Sequence, residues 1–321
     1  VAARTVMTGA PLAIGLDLGG TQLRAALVSR SGEVLKRTAV ATAASAGPEA
    51  VVGQLAEVAR EIAEGVALAE IAGVGISAPG PLDAVNGRII WAPTLAGFRD
   101  VPIAALLAQR LGLPVRLEND GIAAALGEWR FGAGRALSNL AYVTVSTGIG
   151  GGVVCDGRVL RGRRGMAGHV GHMTIVEDGD ICSCGNSGCW EAYASGTAFT
   201  RRARLRATDA ADTLLGEDME AIDARRVFEA AARGDPLAGE LVAEEADYLG
   251  IGIANLLHLY SPDIVIIGGG MANGFGEMQE GIARRVQRSA MPAFRDVPVV
   301  RAELGDNSGL IGAAAMVFGE G

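Results

Sequence analysis

One local pattern occurs twice in this chain, and it constrains the fold more than any other feature. The first copy opens at Leu12 with an apolar run to Leu18, which closes on Asp17-Leu-Gly19-Gly20-Thr21. A second run from Leu23 to Val28 follows, then a Ser31-Gly32 turn and a third run from Glu33 to Val40. The second copy opens at Leu140, runs to Val145, and closes on Ser146-Thr147-Gly148-Ile149-Gly150-Gly151-Gly152. Val153 to Cys155, an Asp156-Gly157 turn, and Arg158 to Arg161 complete it. Short runs punctuated by Gly, Asp and Ser read as strands joined by tight turns, and Asp-Gly favours a two-residue hairpin. A strand–glycine turn–strand–turn–strand unit met twice implies two related halves facing each other. Within the second copy, Cys155 reads as a small buried hydrophobe.

Between and after the copies, strands alternate with helices. Val51, Leu55, Val58 and Ile62 give Pro48 to Glu64 one apolar helical face. Ile71 to Ser77 and Val115 to Glu118 read as strands, and Pro102 to Leu111 as a helix followed by Gly112. Further helices are expected over 121–131 and 236–260, and a buried strand from Asp263 to Ile267 ends in Gly268-Gly269-Gly270. Ser308 is placed as the N-cap of a last helix, Gly309 to Phe318, whose small residues predict close packing. The chain therefore divides into residues 1–118 with 303–321, and residues 119–302.

Bulk properties narrow the function. The net charge is −8, the isoelectric point is near 5.1, and 4% of residues are aromatic. Nucleic-acid binding rests on basic patches and stacking rings, so no nucleic-acid partner is expected. No apolar run reaches membrane-spanning length, so no membrane partner is expected either. The chain begins Val1-Ala-Ala-Arg. Its first residues do not read as a secretory leader, and the first dozen read as a poorly ordered end. A cytoplasmic, thiol-reducing setting is the expectation.

That setting bears on the densest cluster of chemistry. Three of the four cysteines lie in Cys182-Ser-Cys184-Gly-Asn-Ser-Gly-Cys189, and His172 precedes them. Three thiolates and one imidazole form a closed tetrahedral zinc set, which is structural because it leaves no open position. Neighbouring Cys-x-Cys residues bridge poorly as a disulfide. His172, Cys182, Cys184 and Cys189 are thus the candidate zinc ligands. The ion would pin the loop carrying His169, His172 and Glu191, whose imidazole and carboxylate groups suit sugar hydroxyls.

The glycine turns suit phosphate. A backbone free of side chains can aim several N–H groups at one anion, and Thr21 and Thr147 add hydroxyls. Asp17, at a strand end, is placed to meet magnesium through water. No P-loop pattern is present. Asn119-Asp120 lies at a strand end before a helix. A carboxylate there can aim an attacking hydroxyl and accept its proton, which suits phosphoryl transfer; the plainer role is to cap the helix.

With these motifs in order, the chain resembles the ROK family of sugar kinases, repressors and open reading frames. The similarity covers Ile14 to about Phe318 and rests on Asp17-x-Gly-Gly-Thr21, Glu118-Asn-Asp120, Ser146-Thr-Gly-Ile-Gly-Gly, Gly168-x-x-Gly-His172, Cys182-x-Cys-Gly-x-x-Gly-Cys-x-Glu191 and Ile267-Gly-Gly-Gly270. It implies an α/β, actin-like, hexokinase-type (ribonuclease H-like) fold of two domains around a cleft. It implies an ATP-dependent kinase acting on the 6-hydroxyl of a hexose, glucose foremost, with Asp120 as catalytic base. Gly80, Asn119, Asp120, His169, His172 and Glu191 would face the sugar. Asp17, Gly19, Gly20, Thr21, Thr147, Gly148, Gly268, Gly269 and Gly270 would serve ATP and Mg²⁺. A homo-oligomer, dimer or tetramer, is also implied.

Two positions depart from the common pattern. His169 stands where many glucose-specific members carry Glu, which resembles some N-acetylmannosamine kinases. Thr94 stands where glucokinases commonly carry Asn. Other stretches, such as Gly127-Glu-Trp-Arg-Phe-Gly-Ala-Gly134, resemble the glucokinase branch. N-acetylmannosamine kinase or another hexose kinase is the alternative, and a non-catalytic sugar-binding regulator stands as the non-enzymatic reading.

Overall fold

A computed structural model describes residues 11–319 except 211, 212 and 217. The expectation for the chain start lies outside the described residues as far as Ala10, and Leu12 already belongs to the first strand. The chain clusters into two compact units. One holds the described parts of Val1–Ser138, Gly152–Gly168 and Asn307–Gly321; the other holds those of Asn139–Gly151 and His169–Asp306.

The first unit follows the order β1 (Leu12–Leu18), β2 (Gln22–Ser29), β3 (Val34–Ala41), α1 (Pro48–Ile62), β4 (Ile71–Ala78), β5 (Leu82–Asp83), β6 (Arg88–Trp91), β7 (Arg99–Val101), α2 (Ile103–Leu111), β8 (Val115–Asn119) and α3 (Asp120–Phe131). Its main sheet has the order β3-β2-β1-β4-β8, and β5-β6-β7 form a small antiparallel sheet. β1 pairs antiparallel with β2 and parallel with β4.

The alternation of β1 and β2 sorts residues by size. Ile14, Leu16, Leu18, Leu23 and Leu27 pack with Val51, Leu55, Val58 and Ile62 of α1. The opposite face carries Ala13, Ala26 and Val28, against Leu310, Ala314 and Val317 of the final helix, Ser308–Phe318. That face lets helix backbone approach closely: a Cβ on Gly75 would lie 1.8 Å from the Ala313 carbonyl oxygen. The close packing expected of this helix is present. Its cap is not the expected one: Asn307 occupies the N-cap, while Ser308 is buried and its Oγ donates to Glu128 Oε1 at 2.8 Å. A buried carboxylate within reach recruits the hydroxyl away from the helix end.

The second copy of the sequence pattern gives β9 (Leu140–Val145), β10 (Ile149–Cys155) and β11 (Arg158–Val159). With β12 (Ile264–Gly268) and β13 (Val299–Arg301) they form a sheet of order β11-β10-β9-β12-β13. Here too the first strand of the pattern has a parallel neighbour, β12, which pairs in parallel with β13. The duplication in the sequence is a duplication of sheet topology.

Two details differ from expectation. β10 begins at Ile149, so the glycine-rich segment runs inside the strand, and β11 is only two residues long. Cys155 is exposed, not buried; it pairs with Arg158 at the last rung before the turn, one residue past buried Val154. It is the last residue of β10, where the buried stretch ends. Asp156 and Gly157 both take positive φ, 50° and 68°, as the Asp-Gly hairpin requires.

The helices of the second unit are α4 (Trp190–Ala194), α5 (Gly196–Ala207), α6 (Ala224–Ala232), α7 (Pro236–Tyr260) and α8 (Phe275–Ser289); the final helix, in the first unit, becomes α9. α7 starts where Asp235 accepts a bond from the Ala238 N–H at 2.8 Å, with Pro236 in its first turn. Leu249, Ile253, Leu256 and Leu257 bury its apolar side. Trp190 is fully buried, its indole N–H donates to the Tyr248 carbonyl, and its ring lies where a Cβ on Gly252 would be. Among the described residues no helix is long and apolar enough to cross a membrane.

Candidate active site and metal centre

Parallel strands end at one edge of a sheet, and ligands gather beyond their carboxyl ends. In the first unit that edge brings together three of the predicted residues. Asp17 on β1 pairs across β4 with Ser77, and Ala78 pairs with Asn119 on β8. Ser77 Oγ donates to Asp17 Oδ1 at 3.0 Å. Arg24, the cross-strand partner of Asp17 on β2, donates to Oδ2 through Nε at 3.0 Å and again through Nη2. The carboxylate is thus oriented from both sides. The turn beyond it closes with Gly19 N–H on the Gln22 carbonyl. Gly20 has no room for a side chain, since a Cβ there would lie 2.6 Å from Thr94 Cβ.

Asn119 caps α3: its Oδ1 accepts from the Gly121 N–H at 3.0 Å. Asp120 is the first residue of the helix, and its Oδ1 shares the same N–H at 2.8 Å. Asn119 and Asp120 thus share the cap. Burial within the protein raises the Asp120 pKa to about 6, and the nearby charge of Asp17 adds to the rise. Asp120 is nonetheless exposed to water. The full effect of desolvation therefore belongs to a state in which a ligand displaces that water. Behind the pair, Glu118 is buried; its Oε1 accepts from the Asn119 N–H at 3.2 Å and its Oε2 from Arg161 Nε at 2.8 Å. Gly80 follows β4, joined to Pro81 by a cis peptide.

In the second unit the glycine clusters come together. Gly269, at φ 83°, lies against the end of β9, where a Cβ would be 2.4 Å from the Val145 carbonyl oxygen. Gly268 leaves similar space for the Tyr142 hydroxyl, and Gly270 lies near Ser146 Oγ. The Ser146 carbonyl accepts from Gly196 N–H at 2.7 Å, and the Thr147 carbonyl from Thr197 Oγ1 at 2.7 Å. Ile149 N–H donates to Glu191 Oε2 at 2.9 Å, and Gly148 leaves the space that this carboxylate occupies.

The four predicted metal ligands converge. One donor atom from each of His172, Cys182, Cys184 and Cys189 lies within 4.8 Å of all the others. Cys182 Sγ is 3.7 Å from His172 Nδ1, and Cys184 Sγ is 3.7 Å from Cys189 Sγ. Two sulfurs bound to one tetrahedral zinc at about 2.3 Å stand about 3.8 Å apart, so the donor set fits this ion. Without a cation, burial pushes the Cys189 thiol up to about 12 and also raises that of Cys182. A divalent ion supplies the charge that keeps such thiols deprotonated. Nδ1 of His172 faces the sulfurs, so Nε2 remains for another partner. The His169 and His172 rings stack at 6.3 Å, and burial lowers the His169 pKa, with His172 contributing.

Arg24, Ser77, Arg161 and Ser183 were not singled out by sequence. Arg24 carries a legible signal, because a hairpin closing at Leu18 and Leu23 must pair residue 17 with residue 24. Arg161 meets Glu118 from 43 positions away, and no local pattern announces that.

The ROK family profile matches residues 13–320. The glucokinase of Thermotoga maritima is 37% identical, over 95% of this chain and 96% of its own length. An N-acetylmannosamine kinase of Yersinia pestis is 33% identical, over 94% and 96%. A ROK family glucokinase of Streptomyces griseus, solved in complex with glucose and AMPPNP, superposes with a TM-score of 0.83 at 36% identity, covering 95% of this chain and 98% of that one.

Proposed function

This chain belongs to the ROK family, with its actin-like, hexokinase-type fold, and on that premise we propose that it is an ATP-dependent hexose kinase acting on glucose. The observation that carries the reading is similarity to glucokinases along nearly the full length of both chains.

In this reading Asp120 is the catalytic base. The sugar 6-hydroxyl donates to its carboxylate, the hydroxyl oxygen attacks the γ-phosphorus of ATP, and the proton passes to Asp120 as the bond to ADP breaks. A pKa raised to about 6 makes Asp120 a better acceptor than an ordinary carboxylate while leaving it ionised at neutral pH. Arg161 and Glu118 are bonded to each other at the end of β8, just before Asp120. Gly80, Asn119, His169, His172 and Glu191 are assigned to the sugar. Gly19, Gly20, Thr21, Thr147, Gly148 and Gly268 to Gly270 are assigned to the nucleotide. Asp17 is assigned to Mg²⁺, which when bound neutralises phosphate charge. Zinc on His172, Cys182, Cys184 and Cys189 would hold the sugar loop without taking part in the reaction; support comes from the donor set and its spacing. The protein is further read as a cytoplasmic dimer or tetramer, which light scattering tests.

The test is phosphorylation with ATP and Mg²⁺ over glucose, mannose, fructose, N-acetylglucosamine and N-acetylmannosamine. Preference for glucose is expected. A second reading follows from His169: preference for N-acetylmannosamine would replace glucose with that sugar. Binding without turnover of any sugar would turn the protein into a regulator.

A further inference from the structure

Both oxygens of Glu191 are engaged inside the protein. Oε2 accepts the Ile149 N–H of the second glycine turn at 2.9 Å. Oε1 accepts the Ser183 hydroxyl at 2.8 Å, and Cys182 Sγ lies 3.6 Å from the same oxygen. Ser183 sits between two proposed zinc ligands, Cys182 and Cys184. The Ser183 hydroxyl, at 2.8 Å, is the nearer donor to Oε1. Trp190, beside Glu191 in sequence, is fully buried, and the last torsion of a glutamate carboxylate is intrinsically soft. Each carboxylate oxygen has two acceptor sites, so a sugar hydroxyl can add to this arrangement without displacing either bond.

We propose that Ser183 is a positioning residue: by holding Glu191 between the metal loop and the Ile149 amide, it couples sugar binding to nucleotide binding. This rests on the kinase reading above. A sugar hydroxyl on Glu191 strengthens the grip on the turn that is assigned to phosphate, and by linkage the nucleotide strengthens the grip on the sugar by the same factor.

The experiment compares the zinc-loaded protein with its Ser183→Ala and Ser183→Thr variants. Three readouts are taken: zinc content, kinetic constants, and the affinity of a non-hydrolysable ATP analogue with and without glucose. Ser183→Ala is expected to keep its zinc, to raise the glucose KM about tenfold, as loss of a charge-assisted hydrogen bond does, and to hold kcat within about twofold. The gain in analogue affinity on adding glucose should fall, and Ser183→Thr, which keeps the hydroxyl, should restore it. Wild-type KM and coupling in the zinc-loaded alanine variant would overturn the proposal. So would zinc loss from that variant, which would make Ser183 a structural part of the loop, or failure of threonine to rescue. If the unaltered protein phosphorylates no hexose, the kinase reading fails separately. The analogue titration with sugar present then decides Ser183: unchanged coupling in the alanine variant overturns it.

Discussion

The two glycine turns sit at corresponding places in two sheets of the same strand order, yet their surroundings are opposite. The first is dressed by its own sheet: Asp17 is held by its strand neighbours Arg24 and Ser77. The second is dressed from outside its sheet, by Glu191 on α4 and Thr197 on α5. Duplication supplied two equivalent backbones, and the chemistry was added by different routes. The first turn is therefore tuned by residues on adjacent strands, and the second by helices that follow the Cys182–Cys189 loop.

That contrast can be broken at several points. The largest effect is expected at the edge shared with the first turn. Asp120→Ala should lower kcat by about 10² to 10⁴ while the melting temperature stays within a few degrees; near-normal turnover would remove Asp120 as base. Next is the support of the second turn. Cys184→Ser should lose zinc by metal analysis, melt earlier and lose most activity, because the loop carrying Glu191 loses its pin. A metal-free variant with full activity would show that the loop holds itself.

Paired glycine substitutions test the contrast directly. A Cβ on Gly148 would lie 2.5 Å from Glu191 Oε2, and one on Gly20 would lie 2.6 Å from Thr94 Cβ. Gly148→Ala should displace Glu191 and raise the sugar KM several-fold, and Gly20→Ala should raise mainly the ATP KM, with relief by Thr94→Gly. If both raise the same KM, the two turns are not specialised as described. The smallest effect concerns pH. Asp120 acts as its anion and its pKa is raised from 3.8 to about 6, so kcat, which reports the ligand-bound state, should fall as pH drops below about 6. Asp17→Asn removes a charge that contributes to the rise, so the midpoint of whatever activity remains should move to lower pH. A midpoint that stays in place would show that Asp17 does not reach Asp120.

Much of this was legible before any coordinates. The apolar run Leu12–Leu18 closing on a glycine turn, and its recurrence at Leu140, announced both sheets, because strand and turn signals are local. The clustering of Cys182, Cys184 and Cys189 announced their convergence with His172 for the same reason. Ser308 was misplaced because Glu128, its partner, lies 180 positions away. Cys155 was misread because a run of apolar letters does not show that the buried stretch of β10 stops at Val154. Glu191 was read as a sugar contact, but its bonds to Ile149 and Ser183 depend on how α4 packs, which spacing alone does not reveal.

The burial of Trp190 gives the molecule an internal lamp. It stands between Cys189 and Glu191, on Gly252 of α7, while Trp91 is 45% exposed and Trp129 is half-buried. An indole sealed in an apolar core fluoresces at shorter wavelength than one in water. Loosening of the metal loop should therefore appear as a red shift from this one residue, and Trp91→Phe would darken the main solvent-facing background. Metal loading and sugar capture could then be followed optically in the unlabelled protein.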